Sequence, residues 1–392
     1  MTRVDERPEL MIGLVAPVGV DLSRVETTVT DYLHQFGYDV TTIHLSSLIR
    51  TIKGLETQIV DEPEAERIDS HMTAGNEARQ KAKRGDFLAA LAICKIHQQR
   101  KNEEPIPGKA YLFRSLKHPD EVQLLRDIYG DGFHLLSIAS SRNRRVKYLT
   151  QQKGIAQAEA ERLIGRDESE EFELGQHMRD AFHLADCFVD TDADDASDQI
   201  GRFLDLVFGK PCVTPTKDEY AMFLAFAASL RSGDLSRQVG AVITSANDEV
   251  IATGANDVPC FGGGLYWADH GESDKRDHRQ GYDCNEHRRN EIVKAIMSSI
   301  SPQGTGPDEL LQKGSELLKN TGIFDITEYR RAVHAEMEAL LSCARSGVSP
   351  RQGTLYSTTF PCHNCAKHII AAGLSRVVFV EPYPKSLALA HK

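Results

Sequence analysis

The 392-residue chain has no run of eighteen apolar residues, so no segment has the length and character of a membrane-spanning helix. A basic start followed by an apolar stretch is also missing, so no secretory leader is read from it. Positive charge is in deficit: 46 Lys and Arg against 57 Asp and Glu give a net charge of −11. Tight non-specific binding of nucleic acid needs a basic footprint, so no stable polynucleotide complex is expected. A local basic pocket for a small phosphate is compatible with that balance. A disulfide framework is lacking too. The eight cysteines are scattered, and only Cys362 and Cys365 have ligand spacing. Such thiols read as reduced, which predicts a cytoplasmic protein.

The N-terminal half lacks one further thing, a working phosphate loop. Met11–Pro17 is a short apolar run that predicts a buried parallel strand. A turn, a helix through about Gly37 and a second strand over Asp39–Leu45 follow, which opens an α/β domain. A functional loop at that turn would read G-x-x-x-x-G-K-[ST], with a lysine for the terminal phosphates. Aligned on Ser23, the chain has Ala16 and Asp21 for the glycines and Leu22 for the lysine. Two readings stand: an ordinary strand-to-helix turn, or a vestigial nucleotide site with Ala16, Gly19 and Ser23 as its candidates. Phosphoryl transfer is not expected without the lysine. Further strands are predicted at Ala110–Arg114, Phe133–Ala139 and Ala181–Asp190, with helices over Ala74–Gln99 and Pro119–Tyr129. The basic cluster Ser141–Lys147 opens another helix, either as a solvated face or as lid arginines. Two prolines in Lys210–Thr216 mark the junction, dividing residues 1–211 from 212–392.

After the junction a helix is predicted over Asp218–Ser232, then a hairpin of Val239–Thr244 and Glu249–Gly254. Residues from about 257 to 330 form an insertion. Cys284 and His287 within it have ligand spacing, although scattered His and Cys in a polar insert are more often non-ligands. The chemistry lies beyond, in His334-Ala335-Glu336 and Pro361-Cys362-His363-Asn364-Cys365. His334, Cys362 and Cys365 supply three ligands for Zn²⁺, and a catalytic zinc keeps its fourth position for water. Cys362 and Cys365 are i and i+3, which puts both sulfurs on one face of a helix start. That end of a helix also favours the thiolates a metal requires. Glu336 is the candidate catalytic acid–base, a carboxylate left free to change protonation. A structural zinc ribbon would want a fourth Cys or His at close spacing, and none is evident.

The H-x-E…P-C-x-x-C pattern resembles that of the zinc nucleobase deaminases. Residues 216–390 look like a deoxycytidylate deaminase, through Ser236–Ala241, Gly254–Pro259, His334–Glu336 and Phe360–Lys367. The triplet Phe360-Pro361-Cys362 matches that family better than tRNA adenosine deaminases, which usually have Glu before the proline. By this resemblance Asn256 contacts the sugar or phosphate of the substrate and Arg237 lies near the phosphates. About residues 10–210 resemble the degenerate nucleotide-kinase-like module that precedes some deaminase domains, and the whole is similar to bacterial anti-phage dCTP/dCMP deaminases.

The resemblance implies an α/β architecture: an N-terminal P-loop kinase-like parallel sheet with helices, plus a C-terminal cytidine-deaminase-like α/β/α domain. It implies zinc-dependent deamination of free dCTP or dCMP, depletion of dCTP during infection, and a homo-oligomer. It also leaves room for a regulatory nucleotide or repressor acting on the N-terminal domain. Two departures stand out. Glu338 occupies a position where the family often has Asn, and the family usually continues past residues 382–387 with more helix and strand, so the chain reads either as a shortened variant or as a truncated product. Two other function classes remain in play: a polynucleotide cytidine or adenosine deaminase, and a nucleotide-sensing regulator with an inert deaminase half. The acidic balance counts against the first. The intact His334, Glu336, Cys362 and Cys365 count against the second.

Overall fold

Strand β1 (Leu10–Val15) is buried along its whole length, as a central strand covered on both faces must be. It is flanked by parallel neighbours β3 (Lys109–Leu116) and β4 (Phe133–Ala139), with β2 (Asp39–His44) and β5 (Cys187–Asp190) outside them. All four pairings are parallel. Alternation along the strands makes two cores: Met11, Val15, Tyr111 and Phe113 on one face, Leu10, Ile12, Leu14 and Leu112 on the other. The structure, a computed structural model, describes residues 7–169, 177–300, 306–318, 321, 323, 329–381, 386 and 388. Its two compact units are Met1–Val213 and Thr214–Lys392. None of the helices among the described residues is long and apolar enough to cross a membrane.

Two predicted elements come out differently. The helix expected over residues 74–99 is two, Glu64–Ala82 and Phe87–Gln99. The first ends where Lys83 enters the left-handed region at φ 52°. The strand expected from Ala181 begins only at Cys187, because Met178–Phe182 coils into a helical turn whose Ala181 and Phe182 are buried in the core. Asp186, between turn and strand, accepts the Leu135 N–H at 2.8 Å.

The first unit also buries a charge pair. Arg79 Nη2 lies 2.8 Å from Glu121 Oε1, and the two side chains are 2% and 0% exposed. The other carboxylate oxygen accepts the N–H groups of Lys117 and His118, at 2.8 and 3.1 Å, which caps helix Pro119–Tyr129. Arg79 thus ties the long helix Glu64–Ala82 to a helix start.

In the second unit the sheet order is β7–β6–β8–β9. Strands β6 (Gly240–Thr244) and β7 (Val250–Ala255) form the predicted hairpin, β8 (Thr354–Thr359) pairs antiparallel with β6, and β9 (Arg376–Glu381) runs parallel to β8. Helix Lys217–Ser229 packs Ala221 and Ala225 on one face, with Val242 and Tyr356. On the opposite face Ala335, Ala339 and Cys343 of helix Ala335–Ser346 and Cys365 and Ile369 of helix His363–Ala371 meet Ala241, Ile243 and Leu355. The approach is close enough to require glycine. A Cβ on Gly254 would lie 2.2 Å from the Ala335 carbonyl and 2.5 Å from the Ala339 nitrogen. On the other face a Cβ on Gly240 would lie 1.9 Å from the Ala225 carbonyl.

The insertion is anchored beside these helices by charge. Asp257 accepts the Val333 N–H on its backbone oxygen (2.9 Å) and the Gly233 N–H on Oδ2 (2.9 Å). Arg276 reaches Asp257 at 3.6 Å and grips both oxygens of Asp274, whose side chain is fully buried. Arg331 reaches back to Asp277 at 2.8 Å and to the Lys275 carbonyl. Val333, the residue before the candidate ligand His334, is therefore tied to both the hairpin's exit and the insert.

Two stability predictions follow. Arg79→Ala strands the Glu121 carboxylate without its cation, and should cost about 3–5 kcal/mol in urea unfolding of the first unit, whereas Arg79→Met with Glu121→Leu should recover most of it. In the second unit, hydrogen bonds from Arg276 hold the Asp274 carboxyl well below the usual carboxylate range. A depressed folded value means stability that is present above the unfolded value of about 3.9 and is lost as pH falls. Asp274→Asn should lower stability at neutral pH and make its decline between about pH 4 and pH 2 shallower. Urea midpoints across that range measure both effects, and an unchanged acid slope would refute the second.

Candidate metal centre

Three donor atoms converge at the starts of two helices. His334 is the N-cap of Ala335–Ser346 and Cys362 the N-cap of His363–Ala371, both in extended backbone conformation. Cys365, one turn into the second helix, is buried and donates its backbone N–H to Cys362 Sγ at 3.4 Å. His334 Nδ1 lies 3.4 Å from Cys362 Sγ and 3.4 Å from Cys365 Sγ. The three donor atoms all lie within 4.8 Å of one another, and theirs is the only such group among the described residues. Cys284 and His287 join no such group there. Bonds of about 2.0 Å to nitrogen and 2.3 Å to sulfur at tetrahedral angles put N and S about 3.5 Å apart. The cluster therefore fits zinc in both donor chemistry and spacing.

The electrostatics suit a cation. The Cys365 thiol and the His334 imidazole, both hydrogen-bonded to Cys362, draw its thiol down to about 3. The same contact pushes the Cys365 thiol up and raises His334. One thiolate is thus favoured by the protein alone, and a coordinated thiol is deprotonated outright. Both helix N-termini add partial positive charge.

Glu336 stands in the first turn of its helix and is 4% exposed. Its Oε2 accepts from Cys365 Sγ at 3.4 Å. Burial raises its carboxyl above the ordinary range. A carboxyl that holds a proton readily, beside a metal cluster, can take up and return protons. Glu338, two residues further along, has another job: it is buried and bonded to Arg345 at 2.5 Å.

Asn256 and Arg237 are brought together by a direct hydrogen bond. Asn256 is 6% exposed; its Oδ1 accepts the Val239 N–H at 2.6 Å and its Nδ2 donates to the Arg237 carbonyl at 2.7 Å. Its amide thus clamps the loop that leads into β6. The Arg237 guanidinium pairs with Glu381, the last residue of β9. Phe360, two residues before Cys362, packs edge-on against Phe379 with ring centroids 4.9 Å apart and donates its N–H to the Glu381 carbonyl.

The candidates at the first strand-to-helix turn belong to the other unit and have partners of their own. The Ala16 carbonyl accepts Lys117 Nζ at 2.8 Å, and Gly19 sits at φ 91° beneath Arg145. The Ser23 N–H donates to Asp21. Asp167, fully buried, accepts both the Val18 N–H (2.7 Å) and Lys117 Nζ (2.9 Å). Its neighbour Glu168 takes Arg142 and Arg145 of the basic cluster. The N–H and cations that a phosphate would seek there are met by carboxylates from helix Gln157–Ser169. Sequence reasoning missed Asp167, Asp257, Asp274, Arg276 and Glu381, of which only Asp257 carried a signal, inside the matching stretch Gly254–Pro259.

Comparison with known proteins bears on residues 215–381, which match the family described as the cytidine and deoxycytidylate deaminase zinc-binding region. The deoxycytidylate deaminase of Enterobacteria phage T4 is 30% identical over 163 residues, covering 42% of this chain and 77% of that protein. The deoxycytidylate deaminase of Saccharomyces cerevisiae is 29% identical over 178 residues, covering 44% of this chain and 40% of that protein. Among solved structures, the dCMP deaminase of cyanophage S-TIM5 in complex with dCMP and dUMP shares 21% identity, covering 45% of this chain and 90% of that one at a TM-score of 0.28. That score adds no weight to the sequence matches. The match to the phage T4 protein and the His/Cys/Cys cluster agree, and the chain belongs to the cytidine and deoxycytidylate deaminase family, as an enzyme whose metal is zinc.

Proposed function

We propose that the protein deaminates free deoxycytidine nucleotides, dCMP and dCTP, releasing ammonia and the uracil nucleotide. The observation that carries this reading is the cluster of His334, Cys362 and Cys365 with the buried carboxyl of Glu336 against it. His334 Nδ1 and the two sulfurs hold the zinc. Bound zinc lowers the pKa of water from about 15.7 toward about 7, which makes hydroxide accessible at neutral pH. Glu336 takes the proton from the attacking water and delivers it to cytosine N3. The water oxygen bonds to C4 as a hydroxyl; Glu336 then takes that hydroxyl's proton and passes it to the amino group, the C4–N bond breaks, and the C4 carbonyl and ammonia result. Burial of Glu336 supports this role, because an acid held above the ordinary range carries a proton at neutral pH more readily. Asn256 fixes the Arg237–Val239 loop from beneath, with Arg237 offered to the substrate phosphate.

The net charge of −11 favours a free nucleotide over a polymer. The resemblance of the two-unit chain to anti-phage deaminases implies a further step, depletion of dCTP as antiviral defence by a homo-oligomer. Restraint of that activity would fall to a nucleotide or repressor on the N-terminal unit.

Ammonia release from zinc-loaded protein with dCMP, dCTP and a cytosine oligonucleotide tests the reading. Turnover of the oligonucleotide without turnover of either nucleotide would sink it. Glu336→Ala should lower kcat by at least about 10²–10⁴-fold, the range expected for losing a general acid–base group, while retaining one zinc per chain by atomic absorption. Cys362→Ser should instead lose the metal.

A further inference from the structure

The ion pair between Arg237 and Glu381 is lopsided. The Glu381 side chain is 12% exposed, whereas that of Arg237 is 42% exposed. The acid is held inside the unit and its cation faces outward. Both ends are fixed. Arg237 donates its N–H to Asp234 Oδ1 at 3.2 Å, and its carbonyl accepts Asn256 Nδ2 at 2.7 Å. Glu381 lies opposite Thr359 in the parallel register of β8 and β9, and its carbonyl accepts the Phe360 N–H at 2.8 Å. Glu381 thus ends β9 beside the end of β8, from which Phe360, Pro361 and Cys362 lead into the metal cluster.

A guanidinium offers its N–H fork to carboxylate and phosphate in the same geometry. A carboxylate already on that fork takes up N–H groups that a phosphate would use, and repels the phosphate's charge. We propose that Glu381 is a specificity-determining residue: it occupies Arg237 in the substrate-free enzyme, and the nucleotide's phosphate binds in competition with it. The proposal rests on the reading of Arg237 as the phosphate contact. It makes the enzyme less sensitive to phosphorylated ligands than Arg237 alone would make it. Discrimination between nucleoside and nucleotide is thereby set by two ion-paired residues, one from the loop before β6 and one at the end of β9. Deoxycytidine, which carries no phosphate, is indifferent to Glu381.

Calorimetry on the zinc-loaded full chain decides this without relying on turnover. The probes are dCMP, deoxycytidine and inorganic pyrophosphate, each against wild type, Glu381→Gln and Glu381→Gln with Arg237→Ala. Glu381→Gln should tighten dCMP and pyrophosphate by about two- to fivefold, the scale of a partly exposed charge pair, and leave deoxycytidine unchanged. Raising the salt should shrink the gain, and Arg237→Ala should erase it. Weaker binding of dCMP by Glu381→Gln would overturn the proposal, as would an equal change for deoxycytidine. A pyrophosphate affinity indifferent to Arg237→Ala would also overturn it. Glu381→Asp keeps the charge but withdraws it by one methylene, and should give a smaller gain in the same direction. Should wild type release no ammonia from dCMP or dCTP, the proposed reaction fails, while the pyrophosphate titrations still decide whether Glu381 competes for Arg237.

Discussion

Holding one ion with an imidazole and two thiols requires donor atoms within a few ångströms of each other on backbones that cannot interpenetrate. The second unit meets that constraint by starting two helices side by side on one face of its sheet. Helix Ala335–Ser346 can come close enough only because Gly254 has no side chain to keep it off β7. Ala335 and Ala339, both fully buried, bring the helix down flat. The first residue of that approach is His334, and the turn after β8 delivers Cys362 to the same place. The spacing of Cys365 then follows from helical geometry. Shifting either helix by a fraction of a turn would separate the donors.

Within each unit, buried carboxylates are matched by cations. Arg79 has Glu121, Lys117 has Asp167, Arg276 has Asp274 and Arg345 has Glu338. Glu336 differs, since among the described residues no ion pair joins it and its contact is the thiol of Cys365. An acid buried without a dedicated cation keeps its proton more readily. The difference separates carboxylates that hold the fold from the one left able to exchange protons.

What was legible in the sequence and what was not divide along a physical line. The metal cluster was legible because its donors obey local rules: Cys362 and Cys365 by helical spacing, His334 by standing at a helix start. The parallel sheet was legible through its apolar runs, of which β1 is the clearest. Long-range charge pairing leaves no periodic trace, so the partners of Glu381 and Asp167 could not be read, and the Asp274–Arg276 pair, only two residues apart, lies in an irregular stretch with no helical or strand spacing to mark it. The helix break at Lys83 was missed because a lysine in the left-handed region carries no signal comparable to glycine. Asn256 shows an intermediate case. Resemblance pointed to the substrate, and the structure adds a backbone clamp that uses both ends of its amide.

The bridge between Asp257 and Val333 closes a long loop whose two ends meet beside the metal ligands. Closing such a loop costs entropy that grows only with the logarithm of its length, about 0.6 kcal/mol for each doubling. The segment between those anchors can therefore lengthen or shorten over evolutionary time at little thermodynamic cost, provided both ends stay fastened. Asp257, Arg276 and Arg331 are the fastenings. Variation in this family member is consequently cheapest in a region that borders the chemistry and, among the described residues, supplies no ligand to it.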